Sequence, residues 1–179
     1  MKQFISLLFT VCFLSSYAQD LYKATNGEIS FFSEAPVENI SAVNKNAKAL
    51  INAKNNEVAF VVTNVGFKFE KLLMEEHFNE NYMESHKYKV SVFKGKIINE
   101  IDFTKDGTYE VTAKGTLDIH GVTVEREIKG TLTIINGNIT LTSEFDVALK
   151  DHKIKIPKVV IKNIAEVIKV SINIQFSNK

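Results

Sequence analysis

The sequence predicts an all-β fold, an eight-stranded antiparallel barrel with one helical segment, about residues 68–86, at the barrel mouth. Three observations predict it. Apolar and polar residues alternate through most of the chain, the period of a half-buried strand. Short turn signals such as Asn136-Gly137 separate the alternating runs. One stretch, residues 66–88, breaks the alternation and concentrates Phe67, Phe69, Leu72, Leu73, Met74, Phe78, Tyr82, Met83 and Tyr88.

The chain begins with Lys2, an apolar run over residues 4–14 and a small-x-small site at Ser16-Tyr17-Ala18. That is the pattern of a secretory signal peptide, residues 1–18, and it is too short to span a membrane. The expectation is an exported protein with a single mature domain over residues 19–179. The one cysteine, Cys12, lies inside the signal and follows Val11, against a lipid-attachment site. The mature domain then has neither disulfides nor thiol chemistry, and about 160 residues suffice for a self-supporting core. Without Lys2, 21 basic residues balance 21 acidic ones. A nucleic-acid partner would call for a basic excess. No second apolar run approaches a membrane span, so stable membrane insertion is not expected.

Asn26-Gly27 signals a turn, followed by a strand over 28–34 that ends before Pro36. A weaker strand covers 40–51, and Asn55-Asn56 makes a turn. In residues 58–65 both faces are apolar, so that strand is expected to be covered on both sides. In the organising stretch, Met74, Phe78 and Tyr82 recur every four residues. Phe69, Leu72 and Leu73 lie at another angle, which predicts a bent or two-part helix. Strand resumes over 88–100, and Asp106-Gly107 signals a hairpin. Tyr109, Val111, Ala113, Gly115, Leu117 and Ile119 then share one face, with Ala113 and Gly115 leaving space inside. After a turn at His120-Gly121, Val122, Val124, Ile128, Leu132 and Ile134 face inward with Arg126 in the same register. Beyond Asn136-Gly137, Ile139, Leu141, Phe145 and Val147 do the same. Residues 150–165 are irregular around Pro157, with one helical turn expected over 163–166. The last strand alternates strictly from Ile168 to Phe176.

An eight-stranded barrel has room for packed side chains or one small ligand, and closure removes exposed edges. The inward faces are almost wholly apolar, so any occupant is apolar too. The candidate ligand-binding residues are Phe67, Phe69, Leu73, Met74, Phe78 and Tyr82 near the mouth. Along the wall they are Phe93, Tyr109, Val111, Leu117, Ile128, Leu132 and Phe145. Arg126 has two readings: it meets an anionic ligand head group, or it reaches solvent or pairs with Glu144 or Asp146. His77 and His86 are nine apart and lie on opposed faces of a straight helix, against a metal site with Glu75, Glu76 or Glu84. His120 reads as a turn-orienting residue. No nucleophile motif or glycine-rich phosphate loop occurs, so no enzyme activity and no cofactor are expected.

Two motifs carry a resemblance. The run from Phe67 through His77, Phe78, Asn79 and Tyr82 to Ser85 resembles the helical signature of the YceI-like family. Gly115-Thr-Leu-Asp-Ile-His120-Gly121-Val122-Thr123 resembles its strand-turn motif, and Phe93-Lys94-Gly95 and Phe145-Asp-Val also fit. The resemblance covers essentially all of the mature chain. It implies a lipocalin-like barrel in the periplasm that binds a long polyisoprenoid chain in an apolar tunnel. Lys89 and Arg126 depart from the family pattern, where proline and an apolar residue are usual. Two other readings stay open: a filled barrel acting as an interaction module, and an enzyme using His120 or His77. Oligomeric state is open as well, a homodimer included.

Overall fold

The computed structural model describes residues 20–160 and 162–178; the expected signal peptide lies outside them. Ten strands form one sheet: β1 (Leu21–Ser33), β2 (Ile40–Asn44), β3 (Lys48–Asn52), β4 (Glu57–Thr63), β5 (Lys68–Phe69), β6 (Val90–Ile97), β7 (Gly107–Ile119), β8 (Val122–Ile135), β9 (Asn138–Ala148) and β10 (Val167–Ser177). All the ladders are antiparallel, and β10 pairs with β1 to close the ring. β2 and β3 are two halves of one interrupted strand, both pairing with β1. β5 continues the line of β4 past a 3-10 turn at Asn64–Gly66 and pairs with β2. The ring is therefore an eight-stranded barrel, as the alternation predicts.

Side chains of opposite parity separate inside from outside. At one end of the interior Ile51, Leu132, Ile134, Ile139, Ile174 and Phe176 are at most 2 % exposed and form a solid floor. Tyr22 stacks on Phe103 beneath it, ring centroids 5.9 Å apart. The two-residue turns follow the sequence. His120-Gly121 and Asn136-Gly137 all have positive φ, the left-handed pairing that suits strand twist. Gly121 sits at φ +69, and a Cβ there would lie 2.4 Å from the Tyr88 ring. Gly121→Ala is therefore expected to lower stability by about 1–2 kcal/mol or more. Chemical-denaturant midpoints measure this.

Four expectations are corrected. Asn26-Gly27 is not a turn: it lies inside β1 beside a bulge, where the Ala47 amide donates to the Gly27 carbonyl. A Cβ on Gly27 would fall 2.2 Å from the Ala47 carbonyl oxygen, so glycine serves close approach there. Asp106-Gly107 is not a hairpin. β6 ends at Ile97, the connection runs to residue 106, and Gly107 opens β7. Phe103 anchors that loop in the core, and Asp106 Oδ1 accepts from the Asn136 amide at 2.9 Å. The outward face of β4, Ala59 and Val61, is half-buried rather than covered. The turn expected over 163–166 is displaced to a 3-10 turn at Lys158–Val160, immediately after Pro157.

The helical segment is shorter than 68–86 and divided in two, as the change of angle predicts. α1 spans Leu72–His77 and passes into a π-helical turn at Phe78–Tyr82. Asn79 is the local cause. Its Nδ2 donates to the Glu75 carbonyl at 2.9 Å, competing for a ladder acceptor, and the Met83 amide reaches back five residues to Phe78. The extra residue in that turn brings Met83 inward with Tyr82. Among the described residues no helix is long and apolar enough to cross a membrane.

The wall is not uniform. The β8–β9 ladder runs from the hairpin at Ile135–Asn138 only as far as Thr131–Thr142. Beyond it residues 122–130 and 143–148 share no ladder pairs, and side chains bridge the parting. Ser143 Oγ donates to the Lys129 carbonyl at 2.5 Å, and the Arg126 guanidinium donates to the Asp146 carbonyl. At the far end the His152 Nδ1 hydrogen donates to the Val122 carbonyl at 3.0 Å.

Candidate functional site: an apolar cavity under a lid

Above the floor the barrel encloses a cavity of about 350 Å³. The inward positions of β4, β6, β7, β9 and β10 supply its wall, among them Phe60, Phe93, Val111, Leu117 and Ile172. The mouth is bounded by the loop after β1, by the lid (α1 and its π turn) and by residues 149–160 and 162–166. From these Glu38, Met74, His77, Tyr82, Ile154 and Ile164 reach the cavity. Four rings close much of the opening. Phe31 lies 5.2, 5.7 and 5.5 Å from Phe67, Phe69 and Phe78, within the range of favourable aromatic contact.

Polar groups at the rim are mostly committed. Buried Asn64 donates to the Tyr88 carbonyl at 2.6 Å and accepts from Ser91 Oγ at 2.9 Å, fixing the chain on either side of the lid. Ser33 Oγ accepts from the Ala165 amide at 2.9 Å. Glu38 pairs with Lys71, tying the lid to the loop after β1, and the Val37 amide donates to the Lys162 carbonyl. Burial pushes the Tyr82 phenol up from its ordinary value.

His120 ties the lid to the rest of the rim. Its Nε2 lies 2.9 Å from Glu84 Oε2 and its Nδ1 3.2 Å from the His152 carbonyl, so each ring nitrogen faces an acceptor. Tyr88 packs on the imidazole with centroids 4.4 Å apart. The hydrogen bond from His120 is the main cause that holds the Glu84 carboxyl below its ordinary value. A lowered folded value means the tie is complete above the ordinary glutamate range and is lost as pH falls through the lowered value. Glu84→Gln is expected to speed hydrogen exchange at the Lys87 and Tyr88 amides, which bond the Glu84 carbonyl, several-fold at neutral pH. Wild-type protection factors at these amides should fall toward the variant's as the Glu84 carboxylate is protonated in acid; equal rates for variant and wild type at neutral pH would contradict the tie.

Ten of the candidate residues line the cavity: Phe67, Phe69, Met74, Phe78, Tyr82, Phe93, Val111, Leu117, Ile128 and Phe145. Four do not. Leu73 is 60 % exposed on the outer side of the lid, because the helix presents Met74 and Phe78 instead. Leu132 faces inward but is part of the floor. Tyr109 lies at the same closed end, and its hydroxyl donates to the Lys105 carbonyl at 3.2 Å. Arg126 has inward parity, yet its guanidinium turns into the β8–β9 parting and bonds the Asp146 backbone rather than a carboxylate. Phe31, Phe60, Val62 and Ile172 line the cavity and were not singled out as ligand residues; their strict alternation within β1, β4 and β10 was the available signal. His77 is exposed at the rim, and among the described residues no three His, Cys, Asp or Glu side chains converge as metal ligands.

The fold has solved counterparts. A polyisoprenoid binding domain from Saccharophagus degradans, implicated in plant cell wall breakdown, superposes with a TM-score of 0.74 at 13 % identity, covering 87 % of this chain and 97 % of that one. BcnA of Burkholderia cenocepacia gives 0.70 at 11 % identity, covering 83 % and 95 %. A YceI protein of Campylobacter jejuni gives 0.62 at 15 % identity, covering 79 % and 86 %. At such identities the likeness is one of fold. Among curated proteins none matches the chain. The model of the YceI-like domain matches residues 16–176, nearly the whole sequence, and the chain belongs to the YceI-like family.

Proposed function

We propose that this chain is an exported lipid-binding protein that holds a long apolar chain, of polyisoprenoid type, in the barrel as a carrier or sequestering protein. The observation that carries the reading is the cavity itself: apolar walls, a solid floor and a lid of phenylalanine and methionine side chains. Each methylene buried there contributes about 0.8 kcal/mol without any directional contact. A flexible hydrocarbon suits such a wall better than a polar metabolite, which would leave its donors and acceptors unpaired. The polyisoprenoid binding described for the Saccharophagus degradans domain supports the choice of chain. Export rests on the leader pattern of residues 1–18.

A filled, ligand-free barrel is the weaker reading, because Ala113 and the parted β8–β9 wall leave the upper interior open. An enzyme using His120 is weaker still, since both its ring nitrogens are engaged within the protein. The test is displacement of an apolar dye from the purified protein by geranylgeraniol. Saturable displacement with micromolar affinity or better is expected, and no displacement by the prenyl alcohol would overturn the reading.

A further inference from the structure

The parting between β8 and β9 runs along the cavity wall. Ser143 and Ile172 border the interior cavity, and they also border a shallow depression on the outer surface together with Thr131, Thr142, Glu144 and Ser171. The same two side chains are therefore the wall between the two spaces at the point where the ladder stops. The parting is held at its ends by the Thr131–Thr142 pair and by His152 against the Val122 carbonyl. Between them, the interior is apolar and the outer lip carries hydroxyls.

Arg126 lines neither space, but it reaches across the same parting to the Asp146 backbone. It is half-buried, and it faces Gly115 across the β7–β8 ladder, where no side chain covers it. Among the described residues its one side-chain bond is to the Asp146 backbone carbonyl, an acceptor that a β8 amide would occupy in an unbroken ladder. Neighbouring carboxylates do not neutralise it. Glu127 pairs with Lys114, Glu144 accepts from Ser171 Oγ, and neither Glu125 nor Asp146 forms an ion pair with it. A guanidinium carries five donors in a planar fork suited to phosphate or carboxylate. Among the described residues most of that fork has no protein partner, and no carboxylate lies within ion-pair reach of it.

We propose that the β8–β9 parting is a lateral port of the cavity, where Arg126 holds the anionic head group of a bound chain whose hydrocarbon lies inside. This rests on the carrier reading and names the ligand class more closely: a prenyl phosphate or a comparable anionic amphiphile rather than a neutral prenyl alcohol. Ser143 supplies a hydroxyl at the same lip. The Asp146 bond holds the guanidinium in the port until an anion takes it.

The test compares geranylgeranyl monophosphate, geranylgeraniol and inorganic phosphate on wild type, Arg126→Leu and Arg126→Lys. Thermal melts verify that the variants fold. Wild type is expected to bind the monophosphate about tenfold or more tightly than the alcohol, in line with a charge-assisted hydrogen bond. Arg126→Leu should bring that ratio close to one, Arg126→Lys should keep part of it, and inorganic phosphate should not compete. A Ser143→Cys variant should react with a charged thiol reagent from solution and be protected by the monophosphate. A wild-type ratio near one, a ratio unchanged in Arg126→Leu, competition by inorganic phosphate at equal strength, or an unreactive Cys variant would each overturn the port while alcohol binding keeps the carrier reading. Absence of binding by either prenyl compound would overturn both.

Discussion

Phe176→Ala is expected to cost about 3–5 kcal/mol of folding stability, the largest single loss this barrel offers. Phe176 is 1 % exposed, pairs with Ile139 across β9 and β10, and meets Phe60 edge-on at 6.5 Å. Its ring is the point at which the floor touches the cavity wall, so truncation leaves a void that neighbouring strands, fixed by their ladders, cannot fill. The corresponding change at Leu73, on the outer side of the lid, should stay within about 0.5 kcal/mol. Equilibrium unfolding in denaturant separates the two. Similar losses at both positions would contradict the division between floor and lid.

Ala113→Trp should do the opposite: weaken binding strongly while sparing the fold. Ala113 lines the cavity at mid-wall, between Ile97 and Ile128 on the adjacent strands. The indole would occupy free space instead of displacing packed atoms, so the usual cost of overpacking does not apply. Prenyl affinity is expected to fall by about 30-fold or more, roughly 2 kcal/mol, with the melting temperature held or raised. Thr112→Trp, on the outward face of the same strand, is the control and should leave affinity as it was. Equal losses from both variants would mean that the chain does not occupy this interior.

The strands were legible because alternation records, residue by residue, which face meets water. It does not record height along the barrel axis. Leu132 and Tyr109 therefore look like Ile128 and Val111 in sequence, although the first two sit at the closed end and the others border empty space. Strand stagger decides that difference, and stagger belongs to the whole ring. Gly27 misled for a related reason: turn chemistry and close backbone approach select the same residue. Arg126 shows the limit of parity for a long side chain. Its Cβ shares a face with Val124 and Ile128, but the ladder breaks beside it and the guanidinium leaves through the break. Leu73 sits one residue before Met74 in α1, on the face turned to solvent once Met74 and Phe78 turn inward. The family motifs, by contrast, were readable from Phe67 to Ser85 and around His120, where lid and turn are joined through Glu84.

The most direct measurement is mass spectrometry of the lipid extracted from protein purified without added ligand, followed by reloading of the stripped protein. A near-stoichiometric apolar chain is expected in the extract, or saturable uptake of a prenyl chain when the cavity comes out empty. Empty extracts together with no uptake of any prenyl chain would contradict it.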